Sequence, residues 1–166
     1  MLIEKPSIQI RKAETADSQG ILECFQEAFA KYRSVYTPDA YRDTVVGPED
    51  LANRMATMSV FVAIESSGEV VGTVSCYVIG TEEGHIRGMA VRPAWQGADI
   101  AGELIRSVET ELSSLGCTRV SLDATLPLQR AMRFYEKHGF QKSGQITDFF
   151  GMNVVEYVKD LSTLRR

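Results

Sequence analysis

The sequence lacks the features that place a protein in a membrane or in a secretory pathway. Its apolar runs are short, as at Val60–Ile64, whereas a helix needs roughly 20 apolar residues to cross a bilayer. Residues 1–6 carry no apolar core of signal-peptide length. These absences predict a cytoplasmic protein that does not contact membranes.

Cysteine and histidine are scarce as well. Cys24, Cys76 and Cys117 stand far apart among apolar residues, and the histidines are His85 and His138. Neither a disulfide framework nor a zinc site of the CxxC type fits this spacing. We therefore expect buried, reduced thiols and no bound metal.

Positive charge is also in short supply, because 18 Lys and Arg face 22 Asp and Glu, for a net charge of −4. A protein that binds nucleic acid normally presents a basic stripe, so nucleic acid is not an expected partner. An anionic ligand would have to be held mainly by something other than bulk positive charge.

Apolar residues at 44% and charged residues at 24% are the proportions of an ordinary globular protein.

No linker, repeat or low-complexity segment divides the chain, and we predict a single domain over residues 1–166. Helical periodicity of apolar residues, with capping residues at the ends, predicts helices at about 17–32, 48–57, 99–115 and 127–138. Residues 33–47 are predicted to be irregular.

Alternation of polar and apolar residues predicts the strands, at about 7–12, 59–65, 69–79, 85–92, 118–123, 140–145 and 149–159. Their order combines a long antiparallel run with one β-α-β crossover. The predicted fold class is therefore α/β (mixed α+β), with a central mixed, mostly antiparallel sheet of about seven strands flanked by about four helices.

The junction between the fourth predicted strand and the long helix is rich in small residues. Gly97, Ala98, Ala101 and Gly102 would let a ligand approach the backbone closely. The first helical turn offers free N–H groups, and the helix dipole adds roughly half a positive charge. Such a junction favours pyrophosphate binding without basic side chains, although many strand–loop–helix segments with two glycines look similar.

A second motif lies one β-α-β unit downstream. The pattern A-x-x-x-Y-x-x-x-G-F is matched by Ala131, Tyr135, Gly139 and Phe140. The pattern Q/R-x-x-G-x-G/A is matched in the loop at Gln96 and Ala101, with Asp99 at the inner glycine position. With this element order, the sequence resembles the GNAT family of N-acetyltransferases over nearly the whole chain.

The resemblance implies acetyl-CoA as co-substrate, bound where two neighbouring parallel strands, 85–92 and 118–123, splay apart. It implies that the first strand's backbone pairs with the pantetheine arm and that loop N–H groups hold the pyrophosphate. The implied cofactor-binding residues are Met89, Ala90, Val91, Gln96, Gly97, Ala98, Asp99, Ile100, Ala101 and Gly102.

Two positions depart from the family pattern and put cofactor affinity in question. Aspartate tolerates a positive φ better than most residues, and the side chain of Asp99 could either cap the helix or point inward and repel phosphate. Leu128 stands where many members carry an asparagine that contacts the cofactor arm.

The resemblance assigns Tyr135 as the general acid that protonates the leaving thiolate, the alternative being a half-buried core tyrosine. A phenol of pKa about 10 can donate to a thiolate whose conjugate acid is near 8.5. The position of the family's carboxylate base falls on His85, whose ordinary pKa near 6.5 suits a base at neutral pH. The alternative for His85 is a strand-end histidine paired with Glu82 or Glu83, with water carrying the proton.

The resemblance implies that the acceptor pocket is shaped by the first two helices and their loop, with help from the last hairpin. The matching segment, 32–47, mixes aromatic rings, acids and arginines, so it could receive a cationic amine or a carboxylate. We expect direct transfer of an acetyl group, in a ternary complex, to a primary amine on a small molecule. The alternatives are a protein or peptide amine and a non-catalytic CoA-binding sensor. The resemblance also allows a homodimer.

Overall fold

The computed structural model describes residues 7–165, so residues 1–6, where the sequence analysis found no signal-peptide core, lie outside the described part. The strands are β1 Ile8–Lys12, β2 Ser59–Glu65, β3 Val70–Ile79, β4 Glu83–Val91, β5 Arg119–Thr125, β6 Gln141–Phe149 and β7 Met152–Asp160. The α-helices are α1 Ser18–Phe29, α2 Pro38–Thr44, α3 Pro48–Thr57, α4 Ile100–Ser114 and α5 Gln129–Lys137. Short 3₁₀ turns span Thr15–Asp17, Ala30–Tyr32, Pro93–Trp95 and Ser162–Arg165.

The seven strands form one sheet in the order β1-β2-β3-β4-β5-β7-β6. Only β4 and β5 pair in parallel, and the other neighbours are antiparallel. The predicted mixed, mostly antiparallel sheet is therefore confirmed.

The two faces of the sheet carry separate apolar cores, because alternate residues of each strand point to opposite faces. Phe61 and Ala63 of β2 join the core beneath α4 and α5, whereas Val60 and Val62 join the core beneath α1 and α3. All three cysteines are buried, as predicted.

The parallel pair is short, and this shapes the cavity described below. β4 and β5 pair from Glu83 with Arg119 to Ile86 with Leu122. Beyond Ile86, β4 runs on to Val91 and keeps its pairing with β3, while no strand within residues 7–165 pairs with its other edge. The two strands diverge from that point into a wedge.

The described residues form five α-helices, in line with the expected number of about four, but one of the five was not predicted. The additional helix, α2, lies inside the segment 33–47 that was predicted to be irregular. Pro38 occupies its first turn, and the Thr37 hydroxyl accepts a hydrogen bond from the Ala40 N–H at 3.3 Å. This capped start stabilises a helix too short to show apolar periodicity.

Candidate active site

A cavity of about 930 Å³ opens where β4 and β5 diverge. Its walls come from the end of α1, the end of β4, the loop into α4, and α5. The predicted residues that line it are Met89, Ala90, Val91, Gln96, Gly97, Asp99, Ile100, Ala101, Gly102 and Tyr135. Of the remaining candidates, Ala98 lies in the loop without lining the cavity, and His85 lies near the closed end of the wedge.

The loop into α4 is held in shape by Gln96. Its side-chain amide donates to the carbonyl of Val91 at 3.2 Å and accepts from Arg130 Nη1 at 3.2 Å, which ties β4, the loop and α5 together. Gly97 has a φ of +92°, a conformation that glycine adopts readily. The N–H of Ala98 is directed to the carbonyl of Trp95 at 3.4 Å, so this donor is already used.

Asp99 is the N-cap residue of α4 by position, and its φ of +60° lies in the left-handed region that aspartate tolerates. The suggestion that its side chain caps the helix is wrong, because the carboxylate forms an ion pair with Arg106 at 3.0 Å. The same carboxylate passes so close to Gly102 that a β-carbon there would collide with it. The N–H groups of the first turn of α4 remain without helical partners, so Asp99 sits beside a site that attracts anions.

Positive charge is concentrated around the cavity, although the net charge of the chain is −4. The cavity is lined by five cationic side chains and one carboxylate, that of Asp99. The cations are Lys31, Arg106, Arg130, Arg133 and Lys137. They come from the 3₁₀ turn after α1, from α4 and from α5, so sequence reasoning missed them. The spacing of Arg130, Arg133 and Lys137 at helical intervals of three and four was the available signal.

Tyr135 lies on α5 with 9% of its surface exposed, and its ring contacts Phe140 and Tyr157 at centroid distances of 5.9 and 6.1 Å. Its hydroxyl has no hydrogen-bond partner among residues 7–165. Burial raises the pKa of Tyr135 to about 12. The phenol is therefore protonated at every physiological pH.

His85 is not the solvent-facing partner of Glu82 or Glu83 that the sequence suggested. Its Nδ1 is 2.9 Å from Ser121 Oγ, and its Nε2 is 3.8 Å from a carboxylate oxygen of Asp123. Burial lowers the pKa of His85, while Asp123 acts in the opposite direction. The imidazole is consequently neutral near pH 7, which a base requires.

A polar surface surrounds His85 on the face of the sheet that carries α1 and α3. Asp123 of β5 and Glu156 of β7 are direct register partners, so their carboxylates lie side by side. Burial raises the pKa of Asp123, and Glu156 adds to this effect while His85 opposes it. Glu156 forms no ion pair within the described residues. Two carboxylates without a cationic partner favour a cationic ligand.

Among the helices of residues 7–165, none combines the length and the apolar character that a membrane span requires. Within residues 7–165, no group of three or more His, Cys, Asp or Glu side chains is arranged to hold a metal ion.

Comparisons with known proteins agree with the geometry. Residues 20–140 match the model of the family described as acetyltransferase (GNAT) family. The chain is 28% identical over 157 residues to the aminoglycoside N(6')-acetyltransferase type 1 of Stenotrophomonas maltophilia, covering 90% of this chain and 95% of that protein. The resemblance inferred from the two motifs is therefore confirmed.

Solved structures share the fold at lower identity. The PaiA N-acetyltransferase of Thermoplasma acidophilum, in complex with coenzyme A, superposes with a TM-score of 0.77 at 19% identity, over 93% of this chain and 99% of that chain. The ribosomal-protein-S18-alanine N-acetyltransferase of Escherichia coli gives a TM-score of 0.76 at 17% identity, over 94% and 95%. At these identities the likeness extends to the fold alone.

Proposed function

The chain belongs to the acetyltransferase (GNAT) family, and from this premise we propose that it transfers an acetyl group from acetyl-CoA to a primary amine of a small cationic molecule. The observation that carries the proposal is the composition of one cavity. The unpaired edge of β4, the first turn of α4, five cations and Tyr135 all face the same space. In this proposal the whole chain, residues 1–166, serves as one acetyltransferase domain.

The residues of the wedge fit acetyl-CoA. The free edge of β4 at Met89, Ala90 and Val91 offers backbone groups to an extended pantetheine arm. One N–H of this segment polarises the thioester carbonyl, an oxyanion-type contact. The N–H groups of Ile100, Ala101 and Gly102 bind the pyrophosphate, assisted by Gly97 and by the helix dipole.

Basic side chains around the cavity bind the remaining negative charge of CoA. Arg106 lies one helical turn beyond the small residues of α4, and Arg133 and Lys137 lie on the facing helix α5. All three line the cavity. Charge-assisted bonds to phosphate are roughly twice as strong as neutral ones, so these side chains raise affinity in spite of the net acidic charge.

Tyr135 donates a proton to the sulfur of the leaving thiolate. A phenol of pKa about 12 is a poor acid for a thiolate in water, but burial affects thiols in the same way. Burial raises the pKa of the Cys24 and Cys76 thiols to about 12 in this fold. A thiolate formed inside the wedge therefore becomes basic enough to accept the proton from Tyr135.

The amine loses its proton to His85, directly or through water. When Nδ1 donates to Ser121, Nε2 keeps a lone pair for the proton. His85 is closer to the closed end of the wedge than to the α4 loop, which favours a water-mediated transfer. The attack is direct in a ternary complex, since every cysteine is buried and none is placed as a nucleophile.

The acceptor side favours a small cationic amine. Asp123 and Glu156 carry negative charge next to His85, whereas the basic residues concentrate on the cofactor side. The similarity to an aminoglycoside acetyltransferase, over 90% of this chain, supports the same class of acceptor. A protein or peptide amine remains the second candidate, because the corner before α2, residues 33–37, is irregular and its Val35 is exposed.

An amine panel tests the proposal, with free CoA measured by thiol release and the products by mass spectrometry. We expect turnover with amino sugars and polyamines, and little turnover with amines that carry a carboxylate group. Turnover with peptides alone would shift the assignment to a protein acceptor. Thermal stabilisation by CoA without turnover on any amine would instead identify a CoA-binding sensor.

A further inference from the structure

We propose that Arg54 of α3 is a positioning residue that fixes the bulge of β4 beneath the acetyl group, a role that rests on the function proposed above. Arg54 has no place in either sequence motif and does not line the cavity. Four features of its surroundings carry the inference.

The first feature is a β-bulge in β4. Thr73 of β3 pairs with Ala90, but Ser75 pairs with Arg87, so Val74 faces two residues, Gly88 and Met89. Gly88 has a φ of +72°, the left-handed conformation typical of a bulge glycine. The bulge re-aims the backbone directly before the segment 89–91 that we assign to the thioester.

The second feature is the close approach of Arg54 to that bulge. A β-carbon on Gly88 would lie 2.5 Å from Nη1 of Arg54, so the guanidinium occupies the space of the missing side chain. Phe25 of α1 closes the same space from another side, at 3.4 Å. The bulge is thus held between a helix and a buried cation.

The third feature is a pair of hydrogen bonds through Asp43 that also holds Arg87, the residue before Gly88. Arg54 Nη2 donates to the backbone carbonyl of Asp43 at 3.3 Å, and the Asp43 carboxylate accepts from Arg87 at 3.0 Å. Arg54 and Asp43 therefore hold two consecutive residues of β4, Arg87 and Gly88. Both anchors lie on helices, which are rigid relative to a strand with one free edge.

The fourth feature is that Arg54 is kept although it is costly to bury. It is 5% exposed, and Nη1 finds no acceptor among the described residues. Burial lowers the pKa of its guanidinium, and the neighbouring Arg87 adds to that effect. An apolar side chain of similar volume would stabilise the fold at least as well. Stability of the fold therefore does not account for an arginine at this position.

The test compares Arg54→Met with the wild type and with Arg11→Met, a control far from the cavity. Arg11 forms a satisfied ion pair with Asp17 at 2.7 Å, so its replacement lowers the melting temperature and leaves kcat of the folded protein unchanged. For Arg54→Met we expect an equal or higher melting temperature. We expect kcat to fall to about one tenth of the wild-type value or below, because small displacements of reacting groups are costly. The Kd for CoA stays within about threefold, since the phosphate contacts lie elsewhere.

Hydrogen–deuterium exchange supplies a readout that needs no substrate. Peptides that cover residues 83–91 exchange faster in Arg54→Met, while those of β2 and β7 do not change. A wild-type kcat, or unchanged exchange in β4, overturns the role of Arg54. A wild type without turnover on any amine refutes the proposed function instead, and exchange still decides whether Arg54 anchors the bulge.

A second variant covers the case in which Arg54→Met does not fold. Arg54→Lys keeps the charge but loses the branch that reaches Gly88. A reduced kcat with faster exchange over residues 83–91 supports the proposal. Wild-type values of both contradict it.

Discussion

Tyr36 and Thr125 share a hydrogen bond between their hydroxyl groups, which joins the corner before α2 to the last residue of β5. Thr125 lies beyond the residues of β5 that pair with β4. The Tyr36 ring packs against Phe29 and Tyr32, which line the cavity, at centroid distances of 6.3 and 6.1 Å. The bond therefore holds one wall of the cavity against the open side of the wedge.

Replacement of Tyr36 by phenylalanine tests whether this wall shapes the acceptor site. We expect the KM for the amine to rise several-fold, the Kd for CoA to stay unchanged, and the free energy of unfolding to fall by about 1 kcal/mol. Steady-state kinetics and urea denaturation measure these quantities. Tyr41→Phe is the matched control, because Tyr41 packs on the same ring but its hydroxyl forms no hydrogen bond within residues 7–165. An unchanged KM in Tyr36→Phe would remove the corner from acceptor binding.

Tyr135→Phe tests the general acid. The phenol donates a proton only as the thiolate leaves, so kcat falls about 100-fold or more while the Kd for CoA changes little. Thiol release gives kcat, and isothermal titration gives the Kd. The control is Tyr157→Phe, which removes a hydroxyl that donates to Glu136 at 3.1 Å. We expect this control to keep the wild-type kcat. Wild-type turnover in Tyr135→Phe would assign the residue to the core alone.

The pH dependence of kcat follows from the two shifted groups. The pKa of His85 is lowered from its ordinary 6.5, so the neutral, basic form dominates above that lowered value. We therefore expect kcat to increase with pH within the acidic range and then to level off. Tyr135, with a pKa of about 12, keeps its proton, so kcat stays level to about pH 10, where only about 1% of the phenol is ionised. A profile of His85→Ala that overlays the wild type would exclude His85 from the mechanism.

The carboxylate pair on β5 and β7 predicts the charge preference of the acceptor site. In Asp123→Asn and Glu156→Gln, the KM for a polyamine rises about tenfold, since each removed charge is worth roughly 1–2 kcal/mol near a protein surface. The KM for acetyl-CoA is unaffected. Asp148→Asn serves as the control, because its carboxylate accepts from the N–H of Gly151 in the exposed turn after β6. An equal loss with monoamines and polyamines would argue against a cation site.

The sequence predicted those features that depend on neighbours along the chain. The small residues around Gly97 and the helix of Tyr135 are local patterns, and the structure brings both to one cavity. The helix α2 was not predicted, because its seven residues are too few to show the apolar periodicity of a helix. The local signal for this helix is its Thr37-Pro38 start.

Contacts that depend on register or on packing between helices were out of reach. His85 meets Ser121 and Asp123 because β4 and β5 pair in a register that no local pattern specifies. Arg54 reaches Gly88 through the packing of α3 on the sheet, which the sequence does not show. Contacts of these two kinds are therefore found only from the structure.

Asp99→Asn tests whether the carboxylate at the α4 loop restrains cofactor binding. Asparagine also tolerates the left-handed conformation, so the backbone is preserved while one negative charge leaves the helix N-terminus and Arg106 is released. We expect the Kd for CoA to fall about fivefold, since a charge near a helix terminus is worth about 1 kcal/mol, and the gain to shrink at high salt. Asp39→Asn, which breaks an exposed pair with Arg42, leaves the Kd unchanged. Weaker CoA binding in Asp99→Asn would mean that the carboxylate instead orients Arg106 for phosphate.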